Sequence, residues 1–126
     1  MSTLAAFVFA LLTVVLVAFQ LALLFGVPWG EFTLGGRFRG KIPARMRAIP
    51  ALSIVLLIGF AFVVAARAGV AFPEVQAAST RLVWGVVAFS ALATMANAIS
   101  PSRPERLLWL PVAVAMLISS LLVATA

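Results

Sequence analysis

The chain has 126 residues, 65% apolar and 10% charged, with a mean hydropathy of +1.24. A soluble domain is about 45–50% apolar and about 25% charged, so these figures exclude a water-soluble fold and point to an integral membrane protein. The net charge of +6 comes from arginines and Lys41 set against Glu31, Glu74 and Glu105, with no His, Cys, Asp or Tyr in the chain.

That palette removes most active-site chemistry. Disulfides, thiolate-held metals and a haem on a His ligand are excluded, as are a Ser-His-Asp triad and a His proton shuttle. No metal site and no cofactor is expected, and the chain reads as a non-enzyme. A membrane enzyme using Glu31 or Glu105 is the weakest alternative. The positive charge suits either nucleic acid or membrane topology and anionic lipid. It flanks apolar spans instead of covering a soluble face, which selects the membrane and no nucleic-acid partner.

The first apolar run covers residues 4–25, interrupted only by Thr13 and Gln20. As a helix it would be about 33 Å long, enough to cross a core of about 30 Å. It lacks the basic start and short apolar stretch of a signal peptide. Gly26 and Pro28 close it in the usual order. Three further runs cover residues 49–66, 82–99 and 107–124. Each is about 27 Å as helix, slightly short, with Arg47, Arg67, Arg81 and Arg106 placed to snorkel from the edges. Pro73-Glu74 suits a first helical turn ahead of the third span. Ser102-Arg103-Pro104-Glu105 fits an S-x-x-E capping box opening the fourth, and Pro111 predicts a bend within it. Gly85, Ala88, Ala91, Ala93, Ala96 and Ala98 suit close packing, which predicts a third helix at the bundle centre or at an oligomer interface. The fold class is therefore all-α. Residues 1–126 form one domain, a four-helix transmembrane bundle, with a short β-hairpin expected in the first loop.

Orientation follows from the cations. Four spans put the first and third loops on one side. Those loops carry Arg37, Arg39, Lys41, Arg45 and Arg47, then Arg103 and Arg106, against Arg67 and Arg81 on the other side. The positive-inside rule places both loops in the cytoplasm and both termini outside, in the cytoplasmic (inner) membrane.

The segment 26–50, GVPWGEFTLGGRFRGKIPARMRAIP, is the most distinctive. Its Gly35-Gly36 pair suits a type I′ turn between two short strands, with Glu31 falling near Lys41 or Arg39. Trp29, Glu31, Arg37, Arg39, Lys41, Arg103, Glu105 and Arg106 are the candidate contact residues of the cytoplasmic face. They read either as an anion or phospholipid headgroup site or as a topogenic basic loop with Trp29 as interfacial anchor. Gly40-Lys41 is not a P-loop, because Ile42 follows where Ser or Thr is needed.

Inside the membrane, Ser90, Thr94 and Asn97 share one helical face, and Thr13 and Gln20 are likewise seven apart. Gln20, Ser90, Thr94 and Asn97 form a polar stripe that either lines a path or pocket or joins helices by hydrogen bonds. No span has an ionisable residue near its middle, which weakens a proton-coupled transporter.

Two segments carry a resemblance. One is Gly26-Val27-Pro28-Trp29-Gly30 with Gly35-Gly36, Gly40 and Pro43. The other is Asn97-Ala98-Ile99-Ser100, Ser102-Arg103-Pro104-Glu105-Arg106 and Trp109-Leu110-Pro111. The chain resembles, over nearly its whole length, a functionally uncharacterised family of small four-helix bacterial membrane proteins. The resemblance implies the architecture and marks the two cytoplasmic loops as its signature. On physical grounds the loops can meet, Glu105 or Glu31 of one pairing with arginines of the other. The leading expectation is a non-enzymatic homo-oligomer or accessory subunit whose basic face contacts membrane lipid headgroups or a partner protein. The alternative is a small transporter or channel with a polar path past Gln20, Thr94 and Asn97.

Overall fold

The computed structural model describes residues 2–126. Four long helices dominate it: α1 (Ser2–Leu24), α2 (Ala48–Arg67), α3 (Gln76–Ala98) and α4 (Arg103–Thr125). In hydrocarbon no water is present to satisfy backbone N–H and C=O groups, and a helix pairs them all internally. That requirement outweighs the modest helix propensity of the many Val and Ile residues. All four helices are long and apolar enough to cross a membrane.

The helices exceed the apolar runs. α1, α3 and α4 have 23 residues and α2 has 20, so each reaches about 30–34 Å at 1.5 Å per residue. The shortfall expected from the 18-residue runs therefore disappears. Polar and charged residues at the edges continue the helix: Arg103 to Arg106 in α4, Gln76 to Arg81 in α3, and Arg67 in α2. A 3₁₀ turn at Pro73–Val75 leads into α3, close to the expected start.

α1 packs against α2 and α4, α3 packs against the same two, and α1 and α3 stand at opposite corners. The core has two parts. Toward the termini, Ala5, Ala6, Phe9, Val64, Val83, Val86 and Val123 are buried together. Toward the first and third loops, Phe19, Leu23, Ile42 and Trp109 form a second cluster. Leu11, Val14, Val55, Leu92 and Leu107 are exposed on the outer faces, as suits a lipid-facing surface and not a soluble one. The protein is an integral membrane protein.

α4, not α3, is the most buried helix. Gly85, Ala88, Ala96 and Ala98 face outward, and a Cβ added at Gly85 or Gly59 would meet nothing within 4 Å. These four small residues of α3 are therefore not used for packing within one chain, whereas Ala91 and Ala93 are half-buried. At the termini end, Arg67 donates from Nη2 to the Ala126 carbonyl at 2.7 Å, tying the end of α2 to the end of α4.

Candidate functional site

The first loop contains no strand among the described residues; it folds as 3₁₀ turns at Gly30–Phe32, Leu34–Gly36 and Ala44–Met46. The expected hairpin is thus corrected. Gly35 and Gly36 do take positive φ, +69° and +73°, but Leu34 before them also lies at +51°. A type I′ turn has two such residues between extended flanks. With Leu34 left-handed as well, the chain cannot leave Thr33 as a strand. A single backbone bond, Gly30 N–H to the Gly40 carbonyl at 2.8 Å, closes the loop.

The loop is held by the first turns of α4. Ser102, the N-cap, accepts from the Glu105 N–H at 3.3 Å and donates its hydroxyl to the Glu31 carbonyl at 2.6 Å. Glu105 does not complete the capping box. The Ser102 N–H goes to Ser100 Oγ, and the Glu105 carboxylate accepts from the Gly35 N–H at 3.1 Å. One turn on, Trp109 Nε1–H donates to the Phe32 carbonyl at 2.9 Å. Ser102, Glu105 and Trp109 lie at i, i+3 and i+7, one face of the helix. They form a clasp that fixes residues 31–36 over the bundle. The expected pairing of Glu31 with Lys41 or Arg39, and of either glutamate with arginines of the other loop, is not among these contacts.

The candidate cations divide into two groups. Arg106 donates to the Ser100 carbonyl at 2.6 Å, and Arg47 donates from Nε to the Ile42 carbonyl at 3.1 Å. Both are part of the loop scaffold. Arg37, Arg39, Lys41, Arg45 and Arg103 remain exposed at the same end. Trp29 is also exposed, stacked on Phe19 with ring centroids 6.2 Å apart.

Beneath the clasp lies a cavity of about 230 Å³. Gln20, Thr33, Ser53, Asn97 and Glu105 are among its polar lining, and Ser90 lies deeper. Phe9, Phe19, Phe60, Phe89 and Trp109 supply an aromatic wall. Phe19 meets Trp109 edge-on with centroids 4.6 Å apart, and Phe60 meets Phe89 at 4.8 Å. Phe9 and Met116 bound the deep end, and below them the packed Ala5, Ala6, Val64, Val83 and Val123 separate the cavity from the termini side. Leu56 and Phe89 line the cavity and are also exposed on the outer surface, so between α2 and α3 these side chains form the wall that faces lipid.

Three of the four stripe residues, Gln20, Ser90 and Asn97, line this cavity; Thr94 does not. None joins two helices by a hydrogen bond. Thr94 Oγ1 donates to the Ser90 carbonyl and Asn97 Nδ2 to the Ala93 carbonyl, each at 2.8 Å and within α3. Thr13 likewise bonds the Phe9 carbonyl of its own helix. The aromatic wall and the clasp were not foreseen, although the i, i+3, i+7 spacing of Ser102, Glu105 and Trp109 is visible in the sequence. Compared with protein-family models, with curated proteins and with solved structures, the chain matches none.

Proposed function

We propose that this is a non-catalytic membrane protein of the bacterial inner membrane that holds a small apolar molecule inside its bundle. The observation that carries this reading is the cavity: aromatic and aliphatic along its length, polar at the clasped end, sealed toward the termini and walled toward lipid by Leu56 and Phe89. Binding sites of small molecules have this make-up, mostly apolar walls with a few convergent polar groups. The seal below Phe9 and Met116 favours holding over conduction. A single cavity carboxylate, Glu105, with no His, Asp or Cys in the chain, leaves little for catalysis.

A second reading concerns the loop end. Five exposed cations on one face, with both loops cytoplasmic, suit contact with anionic headgroups at about 1 kcal/mol per basic residue near the surface. The outward Gly59 and Gly85 leave room for a second copy or a partner helix.

Native mass spectrometry of protein released gently from membranes tests both readings. A small apolar adduct should accompany the wild type and be lost from Ala93→Phe, which fills the cavity, at unchanged helicity. Arg37→Ala with Arg39→Ala should shed bound anionic lipid and keep the apolar adduct. A wild type without the adduct, or an Ala93→Phe variant that retains it, overturns the cavity reading. Undiminished anionic lipid on the double variant overturns the second.

A further inference from the structure

We infer that the cavity ligand is a slender apolar chain whose head donates a hydrogen bond, a hydroxyl or an amine, seated at Glu105 and Asn97. This rests on the cavity reading above and adds the chemistry of the ligand. The cavity runs from Gln20 to Phe9 along α1 and from Glu105 to Met116 along α4. Each interval is eleven residues, about 16 Å of helix. A dry cavity of about 150 Å³ accepts benzene. The volume of about 230 Å³ found here therefore suits roughly nine or ten non-hydrogen atoms, drawn out along the bundle and not clustered as a ring system.

The polar end is biased toward accepting. Asn97 spends one amide N–H on the Ala93 carbonyl and, like Gln20 in the same lining, keeps both a donor and an acceptor for the cavity, whereas Glu105 as a carboxylate only accepts. Glu105 is 9% exposed, and of its two oxygens Oε2 takes the Gly35 N–H. A carboxylate has about four lone-pair sites and one N–H fills only one. The cavity thus offers acceptors from two helices at one end and aromatic faces beyond them. A ligand that brings only an acceptor, such as an ether, can meet the amides but leaves the Glu105 carboxylate unmet, and an unmet buried polar group disfavours binding. Leu56 and Phe89 both line the cavity and are exposed on the outer surface, so a chain entering from the bilayer between α2 and α3 passes these two side chains.

The probes are n-nonanol, n-nonylamine and methyl octyl ether, matched in size to the cavity and each titrated into nanodiscs holding the protein with ¹³C-methyl methionine. Met116 lines the deep end and reports the tail. The alcohol and the amine should shift the Met116 signal saturably at a mole fraction at least tenfold below that of the ether. Ala113→Leu, which narrows the cavity, should abolish the saturable shift for all three. In Glu105→Gln the alcohol should still bind, while the amine loses affinity by tenfold or more. An ether that binds as well as the alcohol overturns the donor-head inference and leaves the cavity reading intact. No saturable shift with any probe overturns both.

Discussion

Gly30 shows how tightly single residues constrain the loop end. A Cβ at this position would overlap the Phe38 carbonyl oxygen and lie 2.6 Å from that of Gly40. Both are backbone atoms that cannot rotate away. Gly30→Ala should therefore break the Gly30–Gly40 bond and open the loop, destabilising the fold by about 1–3 kcal/mol. Amide exchange at Gly30, followed by NMR in micelles, should accelerate while α3 stays protected. Gly36 is constrained differently. Its φ is +73°, and an added Cβ would come 2.8 Å from Ser102 Cβ, so two loops far apart in sequence touch at a residue without a side chain.

At the scale of elements, α4 does more than cross the membrane. Its N-cap serves its own helix and the first loop together, so Ser102→Ala loses a cap and a tertiary hydrogen bond at once. The expected cost is about 1–2 kcal/mol, measured by unfolding in mixed detergent micelles. Glu105→Gln keeps an acceptor for the Gly35 N–H and should cost clearly less. The capping serine and the Pro104 start were legible in the sequence because they are local patterns. The tertiary role of the same residues was not, since Ser102 and Glu105 already had a sufficient local explanation and their partners lie about 70 residues away. Gly35-Gly36 was legible as a positive-φ turn, but only the left-handed Leu34 decides against strands. The apolar spans were clear from hydropathy. Which phenylalanines face the cavity was not, because lipid and bundle interior are equally apolar and no moment separates them.

For the molecule as a whole, the up-down arrangement puts loops one and three at one end, joined by the clasp, and loop two with both chain ends at the other. The seven cations against two carry the proposed orientation. The chain has no cysteine, so single substitutions report cleanly. Arg39→Cys should react with an impermeant maleimide only after the membrane is opened, and Ala71→Cys should react in intact cells. The opposite pattern would invert the proposed topology. The clasp also gives assembly a clock. The chain is made from its N-terminus, and the carbonyl of Glu31 precedes its partner Ser102 by 71 residues. At about 5–20 residues per second, loop one waits roughly 4–14 seconds before α4 exists to receive it. Until then the cavity has no roof and its polar end lies open to the membrane interface on that side. Any molecule resident there when the last helix arrives is enclosed from above by the clasp.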